Sequence, residues 1–354
     1  MNWIKIIFVN FLVFIVTIFF LEIGSRTLLT IKNCYEGDWC DGRFLTSLSL
    51  RSKNDLTDIG LVSTHNVLGY VPTPNWAGLI PLYSWNNAKV SIDGHGYRDN
   101  DNKQSKTEKM ILAVGDSFTF GDQVNNNETW PSCLERETSI TVKNGGVFAY
   151  GAAQSLLRAQ YEISNGLNPD IIIYSILVGH DIKRDQNKIK SGFASPWLGY
   201  NDGTLMWNSP PTGIENIVGT HTNPRNNILQ YSSIYQYFAA LINWMPNMSK
   251  TINLSGDPAV KDIDVIQFIF NELENIEQKI IILLQYDGSF NASTQKEREL
   301  WIKYSNENNF EIIDSFLALH TLDTDSKKLL WNIHHTAAGN EAVCQYIIKN
   351  LEFE

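Results

Sequence analysis

From about Glu108 onward the chain alternates apolar runs with amphipathic stretches, and this rhythm constrains the fold more than any other feature. Strand-like runs fall at residues 110–114, 140–142, 171–178, 280–284 and 310–313. Helical patterns fall at 130–137, 152–164, 229–244, 263–276, 295–308 and 341–351. Strands alternating with helices build a parallel sheet covered on both faces. Five of them predict an α/β, three-layer, flavodoxin-like domain with its crevice at the carboxyl ends of the strands.

The length of 354 residues accommodates one such domain plus additions. A net charge of −10, with no basic stripe, argues against duplex nucleic acid as a partner, because neutralising phosphates needs clustered Lys and Arg. Between Ile6 and Leu21 there is no charge, and Asn10 and Thr17 are the polar residues. With its apolar margins the stretch approaches the ~20 residues that cross a bilayer. A buried core helix fits less well, because the stretch is apolar on every face. A cleaved signal peptide lacks a small-x-small site. The expectation is an uncleaved transmembrane anchor over 1–24. Lys5 on one side and Arg26 and Lys32 on the other nearly balance, and a short head before one anchor favours an extracytoplasmic location for the bulk of the chain.

Residues 25–107 read as an irregular lead-in, with turns at 65–70 and 93–99 joining short strands. The interval 183–227, rich in Gly, Asn and Pro, breaks the rhythm of the 108–354 domain. A stretch this long is either a lid or a passive surface insertion. Cys34 and Cys40 bracket a short polar loop and can close a small ring. Cys133 and Cys344 fall on two predicted helices and read equally as a bridge or as free buried thiols.

The run 110–114 leads straight into Gly115-Asp116-Ser117-Phe118-Thr119-Phe120-Gly121. A strand ending in a small-residue turn holds Ser117 beyond the sheet edge, where open α/β folds place their ligands. A serine there attacks an ester only if a base takes its proton and donors stabilise the oxyanion. Three further segments offer such groups: Asn144-Gly145-Gly146-Val147-Phe148-Ala149-Tyr150-Gly151, Leu177-Val178-Gly179-His180-Asp181, and Asn332-Ile333-His334-His335-Thr336-Ala337-Ala338-Gly339-Asn340. Taken singly, Ser117 also fits a helix cap, and His335 competes with His334 as base. Asp116 and Asp181 fit acceptors within turns, and Arg98 fits a buried ion pair. Adjacent histidines suggest a metal, but no third ligand is placed and no His-Glu-x-x-His pattern occurs.

In this order the four segments resemble those of the SGNH (GDSL) hydrolase superfamily, over about residues 108–354. The resemblance implies Ser117 as nucleophile and His334 as general base. Asn332 stands at the position of the family's orienting acid. The implied oxyanion hole is formed by the amides of Ser117 and Ala149 with His180. Gly96-Tyr97-Arg98 is similar to a sequence that precedes the first strand in membrane-anchored members. The implied activity is that of a serine esterase on O-acyl esters of cell-envelope carbohydrate or lipid, with no cofactor and a small-molecule or glycan ester as partner.

Three positions depart from the family pattern. Ala149 replaces glycine, which costs room beside a backbone donor. His180 replaces an asparagine amide, and a neutral imidazole donates one hydrogen bond from a different place. Asn332 replaces an aspartate that orients the histidine and stabilises its imidazolium; in a serine protease that change costs about 10⁴ in rate. Activity then rests on a Ser-His dyad, with a carbonyl or another carboxylate, such as Asp323 or Asp325, orienting the ring. The alternatives are an O-acyltransferase using the same residues and a non-catalytic binding protein of this fold.

Overall fold

The computed structural model describes residues 2–35, 56, 59–80, 85–102, 107–190, 193–211, 259–320 and 322–351. The Cys34–Cys40 ring and the helix expected at 229–244 fall outside them. The chain divides into two compact units, Met1–Asp58 with Thr220–Asn253 and Ile59–Gly219 with Leu254–Glu354.

In the first unit, one helix runs over Asn2–Tyr35. Its side chains from Val9 to Leu21 are exposed. Among the described residues no helix is long and apolar enough to cross a membrane, so the structure does not show the span expected over 1–24. Of this helix, the described side chains are those of Trp3 and 9–24.

The second unit opens with two antiparallel hairpins, β1 (Val62–His65) with β2 (Gly69–Pro72) and β3 (Ala77–Leu79) with β4 (Lys89–Ser91). A parallel five-stranded sheet comes next, made of β5 (Met110–Val114), β6 (Thr141–Asn144), β7 (Ile171–Leu177), β12 (Lys279–Gln285) and β13 (Glu311–Asp314). The spatial order β13-β12-β7-β5-β6 is the flavodoxin-like doubly wound order, and its reversal at β5 and β7 opens the crevice.

The strands read as unbroken apolar runs because both faces are buried. Along β5, Leu112 and Val114 enter the core under the helices Ala152–Ser164, Asp262–Leu273 and Ala292–Glu307. Ile111 and Ala113 enter the opposite core, under Trp130–Thr138 and Ala337–Asn350. Those last two helices are joined by a disulfide between Cys133 and Cys344, 211 residues apart in the chain. The bridged alternative is therefore the one found for this pair.

The lead-in is less irregular than expected, and it braces the crevice. Tyr70 Oη donates to Phe148 O at 2.8 Å, and Gln154 Nε2 donates to Leu68 O at 2.9 Å. The described part of 183–227 is not structureless either. It forms two further hairpins, β8 (Ile189–Lys190) with β9 (Phe193–Ala194) and β10 (Trp197–Asn201) with β11 (Thr204–Asn208). The tip of the second is Asp202-Gly203, with φ of 48° and 80°. Two positive φ values in a two-residue loop match the right-handed twist of the paired strands, and Asp-Gly adopts them readily.

Candidate active site

At the carboxyl end of β5, Asp116 rather than Ser117 caps the helix Ser117–Phe120; its Oδ1 accepts from Phe118 N at 2.9 Å. Ser117, the first residue of that helix, keeps its hydroxyl for other partners, and its N–H belongs to the first turn, where no intrahelical acceptor exists. Arg98 holds the far end of this short helix. Its guanidinium donates to Phe120 O at 2.7 Å, to the carbonyls of Gly121 and Val124, and to Asn126 Oδ1. Burial lowers its pKa to about 10, so it stays cationic at neutral pH. The expected ion-pair role gives way to one of binding carbonyls at a helix end. Behind the helix, the backbone of Gly146 lies so close that a Cβ there would sit 2.2 Å from Phe120 N, which only glycine avoids.

The base comes from a tight hairpin, β14 (Trp331–Asn332) with β15 (His334–His335). Ile333 forms its tip with φ 74°, a costly conformation for a β-branched residue. The turn brings His334 Nε2 to 2.9 Å from Ser117 Oγ. When Nε2 accepts the serine proton, the ring's own hydrogen sits on Nδ1, and Nδ1 is buried with no hydrogen-bond partner among the described residues. Burial pushes the His334 pKa down to about 4; Arg184 adds to this and Asp116 opposes it. The ring is therefore neutral, and a competent proton acceptor, across the neutral range.

Among the described residues, no hydrogen bond orients this ring from its Nδ1 side. Asn332, expected in that role, is exposed, and water already satisfies an exposed amide. Asp323 instead caps the helix Thr324–Leu330, accepting from Asp325 N and Ser326 N. Asp325 pairs with Lys328 at 3.1 Å. His335 is not a rival base: it is buried against Tyr286 O at 3.2 Å, and burial pushes its pKa down to about 3.

Arg184, which no sequence motif singled out, ties three of the four segments together. Its Nη1 donates to Asp116 Oδ2 at 2.9 Å, to Tyr150 O at 3.2 Å and to Asp181 Oδ1 at 2.6 Å. The other oxygen of Asp181 accepts from Leu177 N at 2.8 Å. Burial raises the Asp181 pKa, with the negative charge of Asp116 acting in the same direction; the Arg184 charge opposes both. Asp116 and Asp181 thus serve as acceptors within turns, as expected, and also fix the floor of the crevice.

Of the expected oxyanion donors, Ala149 has φ 58°. Its methyl group therefore costs backbone strain as well as room, since the left-handed region disfavours any side chain. His180 lies three residues past β7, before the short helix Asp181–Arg184; it is exposed, and its Nε2 lies 2.9 Å from Asp287 Oδ2. Asp287 lies just beyond β12, outside the four motif segments. Its burial favours the neutral acid, but hydrogen bonds from His180 and Ser289 outweigh this and hold its pKa below the usual carboxylate range. Asp122, also outside those segments, places Oδ2 at 3.8 Å from His334 Nε2. Among the described residues no group of three or more His, Cys, Asp or Glu is placed to hold a metal ion.

No family model and no curated protein matches the chain. Among solved structures it is similar to a member of the lipolytic G-D-S-L family from Veillonella parvula, at 11% identity over 68% of this chain and 97% of that one, with a TM-score of 0.40. A lipase/acylhydrolase from Enterococcus faecalis gives 12% identity, 68% and 94% coverage, and 0.38. An acetylxylan esterase from Geobacillus stearothermophilus gives 14%, 71% and 98%, and 0.36. At these scores the likenesses carry no functional weight.

Proposed function

We propose that the chain is a serine esterase of the SGNH type acting on O-acyl esters, with Ser117 as nucleophile and His334 as base. The observation that carries this reading is the 2.9 Å contact between Ser117 Oγ and His334 Nε2, two groups 217 residues apart in the chain. In acylation, the Ser117 proton passes to His334 Nε2 as Oγ bonds to the acyl carbon. Collapse of the tetrahedral intermediate breaks the bond to the leaving alcohol, which takes the proton from Nε2. Water then repeats the sequence and frees the acid. The N–H groups of Ser117 and Ala149, with His180, are assigned as the oxyanion donors.

We assign an acyl ester of a small molecule, a cell-envelope glycan or a lipid as substrate, in line with the sequence resemblance. The same reading puts the catalytic unit outside the cytoplasm, held by the N-terminal apolar segment as an anchor. The exposed apolar side chains of Val9–Leu21 and the Cys133–Cys344 bridge support this, since disulfides persist in oxidising compartments. The test is labelling of detergent-solubilised full-length protein by a fluorophosphonate near neutral pH. Wild type should react and Ser117→Ala should not; a wild type that never reacts overturns the assignment. One observation favours a second reading, a binding protein of the same shape: His334 Nδ1 has no hydrogen-bonded carboxylate among the described residues. Absence of labelling would favour that reading.

A further inference from the structure

Asp122 is a buried carboxyl group that the mechanism above does not use. It lies just past the C-terminal end of the nucleophile helix, and its N–H donates to Ser117 O at 3.1 Å. Its residue exposure is 6%, and Oδ1 has no hydrogen-bond partner among the described residues. Its Oδ2 is 3.8 Å from His334 Nε2, and it is the one carboxylate among the described residues within 4.0 Å of that ring's nitrogens. A buried, incompletely bonded carboxyl group is costly unless something repays it. At rest the Arg98 charge offsets part of that cost, and a cation that forms beside the carboxyl group during reaction gains from it.

We propose that Asp122 is a positioning residue for His334: it is the carboxylate that stabilises the imidazolium, and it approaches from the Nε2 edge shared with Ser117 rather than from the Nδ1 edge. This rests on the reading of Ser117 and His334 as the reacting pair. In the resting site the Ser117 hydroxyl occupies Nε2. Once Oγ is acylated it can no longer donate, and the new Nε2–H faces Asp122 and the leaving oxygen. A charge a few ångströms away in a water-poor site then supplies the stabilisation that Asn332 cannot. The other groups facing this pair are fixed. Asp116 from the cap of the nucleophile helix and Arg184 from the crevice floor act on both, Arg98 acts on Asp122 from the lead-in, and Gln123 Oε1 accepts the backbone N–H of His334. Burial raises the Asp122 pKa and the Arg98 charge opposes this, favouring the carboxylate that the proposal needs.

The test needs no turnover. In the Ser117→Ala protein, NMR titration of His334 should give a midpoint at least one pH unit higher than in Ser117→Ala/Asp122→Asn. Equal midpoints, or a lower one with Asp122 present, overturn the proposal. Should the Asn variant not fold, the Ser117→Ala protein alone decides: the Asp122 carboxyl carbon must respond at the pH where His334 titrates, and independent titrations overturn the proposal. In the otherwise wild-type chain, Asp122→Asn should slow fluorophosphonate labelling at least ten-fold, and Asp122→Glu should recover part of that loss; an unchanged rate overturns the proposal. Failure of wild-type labelling removes the esterase reading, whereas labelling with an unlinked His334 removes only Asp122.

Discussion

Two imidazoles stand at the crevice, and their surroundings are opposite. His334 is partly buried, touches Ser117 Oγ through Nε2, and leaves Nδ1 bare among the described residues. His180 is partly in solvent and has the carboxylate of Asp287 at 2.9 Å. In a serine triad the acid belongs to the base; here the tightest histidine–carboxylate contact belongs to the other ring. Burial can supply one half of a triad acid's work, since packing against Phe118 and the hairpin backbone fixes the His334 ring without a carboxylate. It cannot supply the other half, which is charge. The contrast thus separates orientation from electrostatic support, two roles usually joined in one aspartate.

The sharpest way to break this comparison is to exchange the two rings' importance. His334→Ala should abolish labelling, a loss of about 10³-fold or more, because the other group that reaches Ser117 Oγ, Asp116 Oδ2 at 3.4 Å, is already held by Arg184. His180→Ala should cost about 10²-fold, the worth of one oxyanion donor. Labelling rates measured side by side decide the matter; equal losses would mean that the roles are misassigned. The next effect concerns the floor that both rings share. Arg184→Ala leaves Asp116 and Asp181 buried without their cation, which should cost about 3–5 kcal/mol in denaturant unfolding along with most of the activity. Arg184→Lys should not fully restore it, because the three contacts converge on Nη1 and the shorter lysine does not carry its ammonium to that point.

The smallest effect is on pH. His334 and His335 have folded-state values of about 4 and about 3, below the unfolded histidine value of about 6.5. Between those limits the unfolded chain binds more protons. Their contribution to stability is therefore full above pH ~6.5 and falls as pH drops toward the folded values. Labelling should persist below pH 6 and fall as pH approaches about 4. A labelling midpoint near 6.5 would place the base in water rather than in the pocket seen here.

The sheet is legible in the sequence because strands buried on both faces carry few polar residues to blur them. The helix Ala152–Ser164 matches its expected limits, while the last helix begins earlier than expected, at Ala337, where Thr336 caps it. The hairpin Trp197–Asn208 reads as irregular although Asp202-Gly203 marks its turn; the neighbouring prolines and asparagines hide the alternation. The meeting of Ser117 with His334 agrees with the order of the segments. The ionic contacts of the crevice are not legible, because His180 meets Asp287 and Arg184 meets Asp116 across neighbouring strand ends, and strand order is not encoded in local spacing. The role expected of Asn332 comes by analogy with an acid, and the one-residue turn at Ile333 leaves the residue in solvent, without that role.

The Cys133–Cys344 bond joins the helix that comes after the nucleophile to the helix that comes after the base. In the unfolded, oxidised chain it therefore keeps Ser117 and His334 on two short arms of a single knot. Refolding must bring the arms into register, but it need not search for them across the whole chain. Reduced protein should thus regain its sheet before it regains its chemistry.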